Sequence, residues 1–464
     1  MQKTILETIT AYDIADKGRA VGKNGEKTIF IEGAVPGDVV NVTLLKKSKS
    51  FDEGVVDAII QPSAYRQEPF CQHFGLCGGC KWQHMSYAAQ IHFKEKQVHD
   101  AVQRLAKITD TSYNPVSGCD PDVFYRNKME YTFTNKRYLL KDEMNDPEAK
   151  QMNGLGLHIP GKFNKVLHIE TCFLQDKRAD SIRKMVYDFA IRHDFTFFDL
   201  KQQHGLLRNL IIRNTTVDEW MVIVVFKEDD PEKRELLLAA IKKEFPWLTS
   251  LQYIINSKRN DTIQDQDPVV YHGRAFIIEQ LENLKFIISP KSFFQTNTKQ
   301  ALQLYKMTRD LAGLTGNDIV YDLYTGTGSI AAFVSHQCKK VIGVEYVEDA
   351  IADAKYNAQL NGIENMQFFA GDMKDVFTSN FITQHGKPDV IITDPPRAGM
   401  HEAVIQRILE SGARKVVYVS CNPATQARDL LLMSEKYEVQ KIQPVDMFPH
   451  TAHVENIALL TLKN

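Results

Sequence analysis

Cys421 stands in Ser420-Cys421-Asn422-Pro423, directly after the apolar run Val416–Val419. A thiolate is a strong nucleophile and also a competent leaving group. At the carboxyl end of a strand it suits transient covalent catalysis better than core filling. Two acids could work with it. Asp394 opens Asp394-Pro395-Pro396-Arg397, where two prolines fix the backbone after a second apolar run. Glu455 follows the polar turn Pro449-His450-Thr451-Ala452-His453.

A nucleophile, a hydrogen-bond acceptor and a proton acceptor match one demanding reaction, methylation of uracil at C5. That carbon is a poor nucleophile. Thiolate addition at C6 makes C5 enolate-like, so that it can attack an electrophilic methyl group. A base must then remove the C5 proton before the ring expels sulfur. Cys421 fits the nucleophile, Glu455 the base, and Asp394 an acceptor for the uracil N3–H. Arg397 could favour the thiolate.

The methyl donor needs its own loop. Asp322-Leu323-Tyr324-Thr325-Gly326-Thr327-Gly328 follows an apolar run, and its glycines allow a tight turn with close backbone approach. Glu345 ends the next apolar run, where a carboxylate can accept from both ribose hydroxyls. Dinucleotides and S-adenosylmethionine both use such geometry. Asp322 at the strand end favours S-adenosylmethionine, whose sulfonium is cationic.

A second constellation lies far upstream. Cys71, Cys77 and Cys80 share one loop, with Gly78-Gly79 between the last two and Gln83-His84 after it. The seven cysteines are an odd count, and the expected compartment is the cytoplasm, so metal or catalytic use is favoured over disulfides. A fourth ligand is needed; Cys172 is the first choice and Cys119 the second. Thiolate ligation fits zinc or an iron–sulfur cluster. The Gly-Gly pair, with free backbone N–H groups, tilts the choice to [4Fe–4S].

The elements that must position these groups follow from patterning. The 464 residues exceed one core and imply a multidomain α/β protein. Residues 1–62 read as short strands between glycine turns, Ile5–Tyr12, Lys27–Ile31, Val39–Leu45 and Gly54–Ile60, as in a small β-barrel. Lys46, Lys47 and Lys49 form a basic tip. Residues 86–108 read as a helix, and 110–280 as mixed strand and helix without a repeat. Lys141–Asn153 is polar and reads as an exposed loop. Beyond about 285, Val320–Leu323, Val341–Glu345, Gln367–Ala370, Val390–Thr393 and Val416–Ser420 are strands separated by helices. That is a parallel sheet with ligands at its carboxyl edge and an antiparallel ending. The net charge of −2 advertises no nucleic-acid partner, so any such surface must be local. No stretch of about 20 apolar residues predicts a membrane span.

Taken in order, the cysteine loop, Asp322–Gly328, Asp394–Arg397, Ser420–Pro423 and His453-Val454-Glu455 resemble those of the RNA uracil-C5 methyltransferases. The resemblance covers the whole chain and is to the iron–sulfur branch acting on 23S ribosomal RNA. It implies a TRAM domain, an OB-like RNA-binding barrel, over 1–62. It implies a central RNA-binding domain over 63–280, with a [4Fe–4S] cluster held by Cys71, Cys77, Cys80 and Cys172. Over 281–464 it implies a Rossmann-like methyltransferase domain, against which helix 86–108 would pack. Gln295, Tyr324, Glu345 and Asp394 would bind S-adenosylmethionine, with Cys421 as nucleophile and Glu455 as base. Arg126, Asn127 and Lys128 would lie near RNA. A cytoplasmic monomer is expected. The alternatives are a tRNA uracil-54 methyltransferase, expected to lack the barrel and cysteine loop, and a non-catalytic ribosome-assembly protein. The x5 first gap sets aside radical methylthiotransferases, whose gaps are x3 and x2.

Overall fold

The structure, a computed structural model, describes residues 5–141, 143–149 and 152–463. Positions 142, 150 and 151 of the polar loop, and the first four residues, lie outside the described residues.

Strands β1 (Ile5–Ile14), β2 (Ala20–Asn24), β3 (Lys27–Glu32), β4 (Val39–Lys47) and β5 (Phe51–Gln61) close into a barrel in the order β1-β2-β3-β5-β4. Ile9, Ala11, Ile29, Ile31, Val40 and Val42 fill it by strand alternation. β2 was not foreseen, because Ala20-Val-Gly-Lys-Asn has too few apolar residues to show a period. The lysine tip stays exposed, with Lys46 and Lys47 opposite Glu53 and Asp52 across the hairpin.

The cysteine loop leads into α1 (Tyr87–Arg104) and the short β6 (Ser112–Tyr113). The helix stops four residues before the expected end; Lys107 there has a left-handed φ of 60°. Although they precede the central sheet, α1 packs against the catalytic unit through Val98, Ala101 and Val102, and β6 extends the catalytic sheet.

The central sheet is built by β7 (Lys128–Thr134), β8 (Gly154–Ile159), β9 (Lys162–His168), β10 (Leu207–Asn214), β11 (Trp220–Phe226), β12 (Ser250–Ile255) and β13 (Val269–Gly273). Helices α2 (Lys177–Arg192) and α3 (Pro231–Glu244) cover one face. On the other face Ile211, Ile223 and Val225 share a single core with Phe294, Ala301 and Val320 of the following unit. A continuous dry interface therefore joins the two.

The catalytic unit begins with the hairpin β14 (Ile277–Leu281) and β15 (Leu284–Ile288) and with α4 (Thr298–Ala312). Then come β16 (Ile319–Leu323), α5 (Ser329–Ser335), β17 (Lys340–Glu345), α6 (Glu348–Leu360), β18 (Met366–Ala370), α7 (Met373–Val376), α8 (Ser379–His385), β19 (Val390–Thr393), α9 (Glu402–Ser411), β20 (Lys415–Ser420), α10 (Pro423–Met433), β21 (Tyr437–Val445) and β22 (Glu455–Leu462). The sheet order is β18-β17-β16-β19-β20-β22-β21-β6, parallel up to β20 and antiparallel through β22. The apolar runs of β16, β17, β19 and β20 are buried on both faces, as a parallel sheet requires. Among the described residues no helix is long and apolar enough to cross a membrane.

Lys94 of α1 and Asp446, just after β21, form an ion pair with both side chains fully buried. Breaking such a pair strands a charge. Lys94→Met should destabilise the catalytic unit by about 3–5 kcal/mol in urea unfolding. A loss below about 1 kcal/mol would contradict this role.

Candidate active site

The first βα turn is shaped by its glycines. Gly328 has φ 75° and caps α5, and a Cβ there would sit 3.0 Å from Phe368 and 3.1 Å from Ala354. Tyr324 takes φ 64°, a conformation that costs a non-glycine residue energy and that clusters at ligand sites. The Glu345 carboxylate accepts from Gly326 N and Val347 N, both at 3.1 Å. It thus braces the loop while keeping lone pairs for a ligand.

These residues enclose a cavity of about 810 Å3, within the range of cofactor sites. Gln295, Tyr324, Glu345 and Asp394, the four expected cofactor contacts, all line it. Asp322 does not; it lies buried beneath, accepting from Thr325 Oγ1 at 2.5 Å, with Oδ1 unpartnered. Phe293, Phe294, Tyr346 and Val347 also line the cavity and were not foreseen, since no spacing rule links the segment before α4 to the end of β17. Phe293, Tyr346 and Val347 are exposed apolar side chains that could pack against a flat ring.

Asp394 and Cys421 follow adjacent strands, β19 and β20. The two loops are tied together: Asn422 Nδ2 and Thr425 Oγ1 each donate to Arg397 O at 3.1 Å. Asn422 also caps α10 through Ala424 N, with Pro423 at the first helical position. Glu455 opens β22, whose Asn456 is paired with Ser420, so the carboxyl lies beside the cysteine.

Asp394 acts on Glu455, both act on Cys421, and Arg397 opposes the shift at Cys421 and at Glu455. Burial, then Glu455 and Asp394, push the Cys421 thiol up to about 11, and Arg397 opposes them. Burial and Asp394 raise Glu455 to about 8. Burial and Asp322 raise Asp394 to about 7. Asp322 itself is lifted to about 7, chiefly by burial. Arg397 does favour the thiolate, as anticipated, but it loses to burial. Three buried carboxyls, Asp322, Asp394 and Glu455, all shifted upward, make a site whose ionised form an incoming cation would favour.

A second cavity of about 600 Å3 is lined by Arg397 and His453. Lys17 from the barrel, Lys81 from the cysteine loop and Arg126 from the central unit also reach it. Of the expected RNA segment, Arg126 lines this cleft. Asn127 does not; it is buried and donates to Gln295 O at 3.0 Å and Thr298 Oγ1 at 2.9 Å. Lys128 begins β7, and burial pulls it down to about 8.

Cys71, Cys77, Cys80 and Cys172 line one small, mostly apolar cavity with Gly79 and Phe173. Cys119 lies elsewhere, against Asn297 Nδ2 at 3.3 Å. Burial raises Cys77 to about 11 and Cys80 to about 12. Yet among the described residues no group of three His, Cys, Asp or Glu side chains could hold a metal ion. The expected ligand set is therefore gathered but not formed into a metal centre.

A family model described as tRNA (Uracil-5-)-methyltransferase matches residues 249–463. An uncharacterized RNA methyltransferase of Bacteroides thetaiotaomicron is 53% identical, covering 97% of this chain and 100% of its own. One from Chlorobaculum tepidum is 37% identical over 97% of this chain and 95% of its own. The chain belongs to the RNA uracil-5-methyltransferase family. The donor for an enzyme of this family, S-adenosylmethionine, fits the glycine loop, the 810 Å3 cavity and the buried acids around it. The solved structure of Pyrococcus abyssi tRNA (uracil-54, C5)-methyltransferase, in complex with S-adenosyl-L-homocysteine, superposes with TM-score 0.75 at 25% identity. It covers 99% of this chain and 100% of that one. That match spans the barrel as well as the catalytic unit, against the expectation that a tRNA uracil-54 methyltransferase lacks the barrel.

Deprotonation of Cys421 is disfavoured by burial and two carboxyls, so its anion should appear only as pH rises toward 11. In the free protein, iodoacetamide labelling of the Cys421 peptide should be slow at pH 7 and climb about tenfold per pH unit. A pH-independent, fast rate would contradict the electrostatics.

Proposed function

We propose that this enzyme methylates C5 of a uracil in 23S ribosomal RNA, with Cys421 as nucleophile and Glu455 as base. The observation that carries the chemistry is the meeting of Cys421, Asp394 and Glu455 at the ends of adjacent strands, with Asp394 on the cofactor cavity and the neighbouring Arg397 on the basic cleft. S-adenosylmethionine supplies the methyl cation equivalent. The chain's residues do the rest. A flipped uracil enters from the Arg397–His453 side. Asp394 accepts from N3–H and helps hold the ring plane. Cys421 adds to C6 as its proton leaves, and C5 takes the methyl group. Glu455, once ionised, removes the C5 proton, and sulfur departs. Arg397 offsets the charge that develops as the thiolate forms.

The rRNA substrate rests on the likeness of the cysteine loop and catalytic motifs to the iron–sulfur branch. Residues 1–62 would act as a TRAM domain. Cys71, Cys77, Cys80 and Cys172 would hold a [4Fe–4S] cluster. A cubane is wider than one ion, so its ligands can line a cavity without converging on a point. A tRNA uracil-54 substrate is the second reading, favoured by the full-length match to the Pyrococcus abyssi enzyme.

Incubation with 23S rRNA fragments and with unmodified tRNA, followed by mapping of 5-methyluridine, separates the two. Product in 23S rRNA alone is expected; product in tRNA alone would overturn the rRNA assignment. Because Glu455 must be ionised and is raised to about 8, breakdown of the methylated Cys421–RNA adduct in a single turnover should speed up about tenfold from pH 6 to pH 7 and level above pH 8. Glu455→Gln should slow turnover by about 10²–10⁴ and accumulate methylated RNA bound to Cys421. No such adduct would remove Glu455 from the proton step. Anaerobically purified protein should be brown, and Cys77→Ser should lose that absorbance. Zinc without iron in the wild type would contradict the cluster.

A further inference from the structure

The basic cleft continues past its own wall. His158 of β8 lines it on one side and lines a third cavity, of about 420 Å3, on the other. His158 Nε2 meets Thr132 Oγ1 at 3.2 Å, which fixes the ring as a saddle between the two spaces. The third cavity has an unusual wall for a surface hollow. Phe163, beside the β8–β9 turn, is 73% exposed in it, while Phe198 behind is buried. Arg259 is exposed at the rim, with Asp261 the acid in the wall. Gln203 also lines it, and its Oε1 is buried without a partner.

This wall is held rigid. The buried Arg208 donates to the carbonyls of Asn256 at 2.9 Å, Lys258 at 2.7 Å and Arg259 at 3.1 Å. That guanidinium is spent on the backbone, so it fixes the loop carrying Arg259 and leaves the Arg259 side chain for a ligand. A lone exposed phenylalanine is ordinary. One set in a polar hollow, with a guanidinium and an unsatisfied amide oxygen, matches an unstacked nucleotide. The ring offers a stacking face, the cation a phosphate contact, and the amide oxygen an acceptor for an exocyclic amine.

We propose that this cavity is a second nucleotide site. A base flanking the target leaves the RNA stack, passes the His158 saddle and stacks on Phe163, with its phosphate at Arg259. The two-site grip would set how the strand is threaded and which flanking sequences are accepted. The proposal rests on the reading of the protein as an RNA uracil methyltransferase.

The test uses the full-length holoenzyme and a fragment of its RNA substrate, with 2-aminopurine placed in turn at each position around the target. Wild-type methylation of the unlabelled fragment is the control; if it fails, the function is at fault and not the second site. Phe163→Ala should raise KM for the fragment about tenfold and leave kcat and S-adenosylhomocysteine affinity unchanged. One flanking 2-aminopurine should be quenched by wild type and not by Phe163→Ala. Phe163→Trp should restore both. Arg259→Gln should weaken RNA binding and flatten its salt dependence. A KM within twofold of wild type in Phe163→Ala, or a fall in kcat alone, would overturn the proposal.

Discussion

The organising constraint is the burial of like-charged acids at one sheet edge. Burial raises all of them, and charge adds along a chain: Glu345 to Asp322, Asp322 to Asp394, Asp394 to Glu455, and Glu455 with Asp394 to the thiol of Cys421. Burial strips them of solvation, and Arg397 opposes the crowding at Cys421 and Glu455. Burial and like charge both favour the neutral forms. A sulfonium in the adjoining cavity changes that balance, because its charge favours each carboxylate in turn. Cofactor binding and the ionisation of the site are thus linked through simple electrostatics.

Holding these groups together takes residues from the whole chain. The segment between β21 and β22 is the meeting point. Its Asp446 is paired with Lys94, and its His450 carbonyl accepts from Lys81 N at 2.8 Å and Trp82 N at 3.0 Å, just after Cys80. Asn297 Nδ2 donates to Met447 O at 2.9 Å, which ties the segment to the start of α4 beside Gln295. Glu455 therefore receives its position from α1, the cysteine loop and the Gln295–Asn297 segment before α4 together. The coupling also explains why α1 precedes the central sheet in the chain yet packs with the catalytic unit.

The parallel sheet was legible because its strands are continuous apolar runs, and the catalytic loops because each follows such a run. Gln295, Tyr324, Glu345 and Asp394 were found by motif, and all four face one cavity. The rest depends on long-range geometry that local pattern does not carry. Nothing in Ser112-Tyr113 announces a strand beside β21, or in Ala20–Asn24 a barrel strand. Asn127 reads as an RNA contact by its neighbours, but its amide is committed to Gln295 and Thr298. Asp322 reads as a cofactor carboxylate, yet it lies one layer below. The four clustered cysteines were legible as a set, but the state of their sulfurs was not.

Transfer of a methyl group to C5 must displace the hydrogen there, and the nucleophile must make that possible. RNA bearing [5-³H]uridine reports both steps at once. Wild-type enzyme with S-adenosylmethionine should release one tritium to water for each methyl group incorporated, and Cys421→Ala should release none. Methyl incorporation without tritium release, or release that survives in Cys421→Ala, would contradict covalent catalysis at C5.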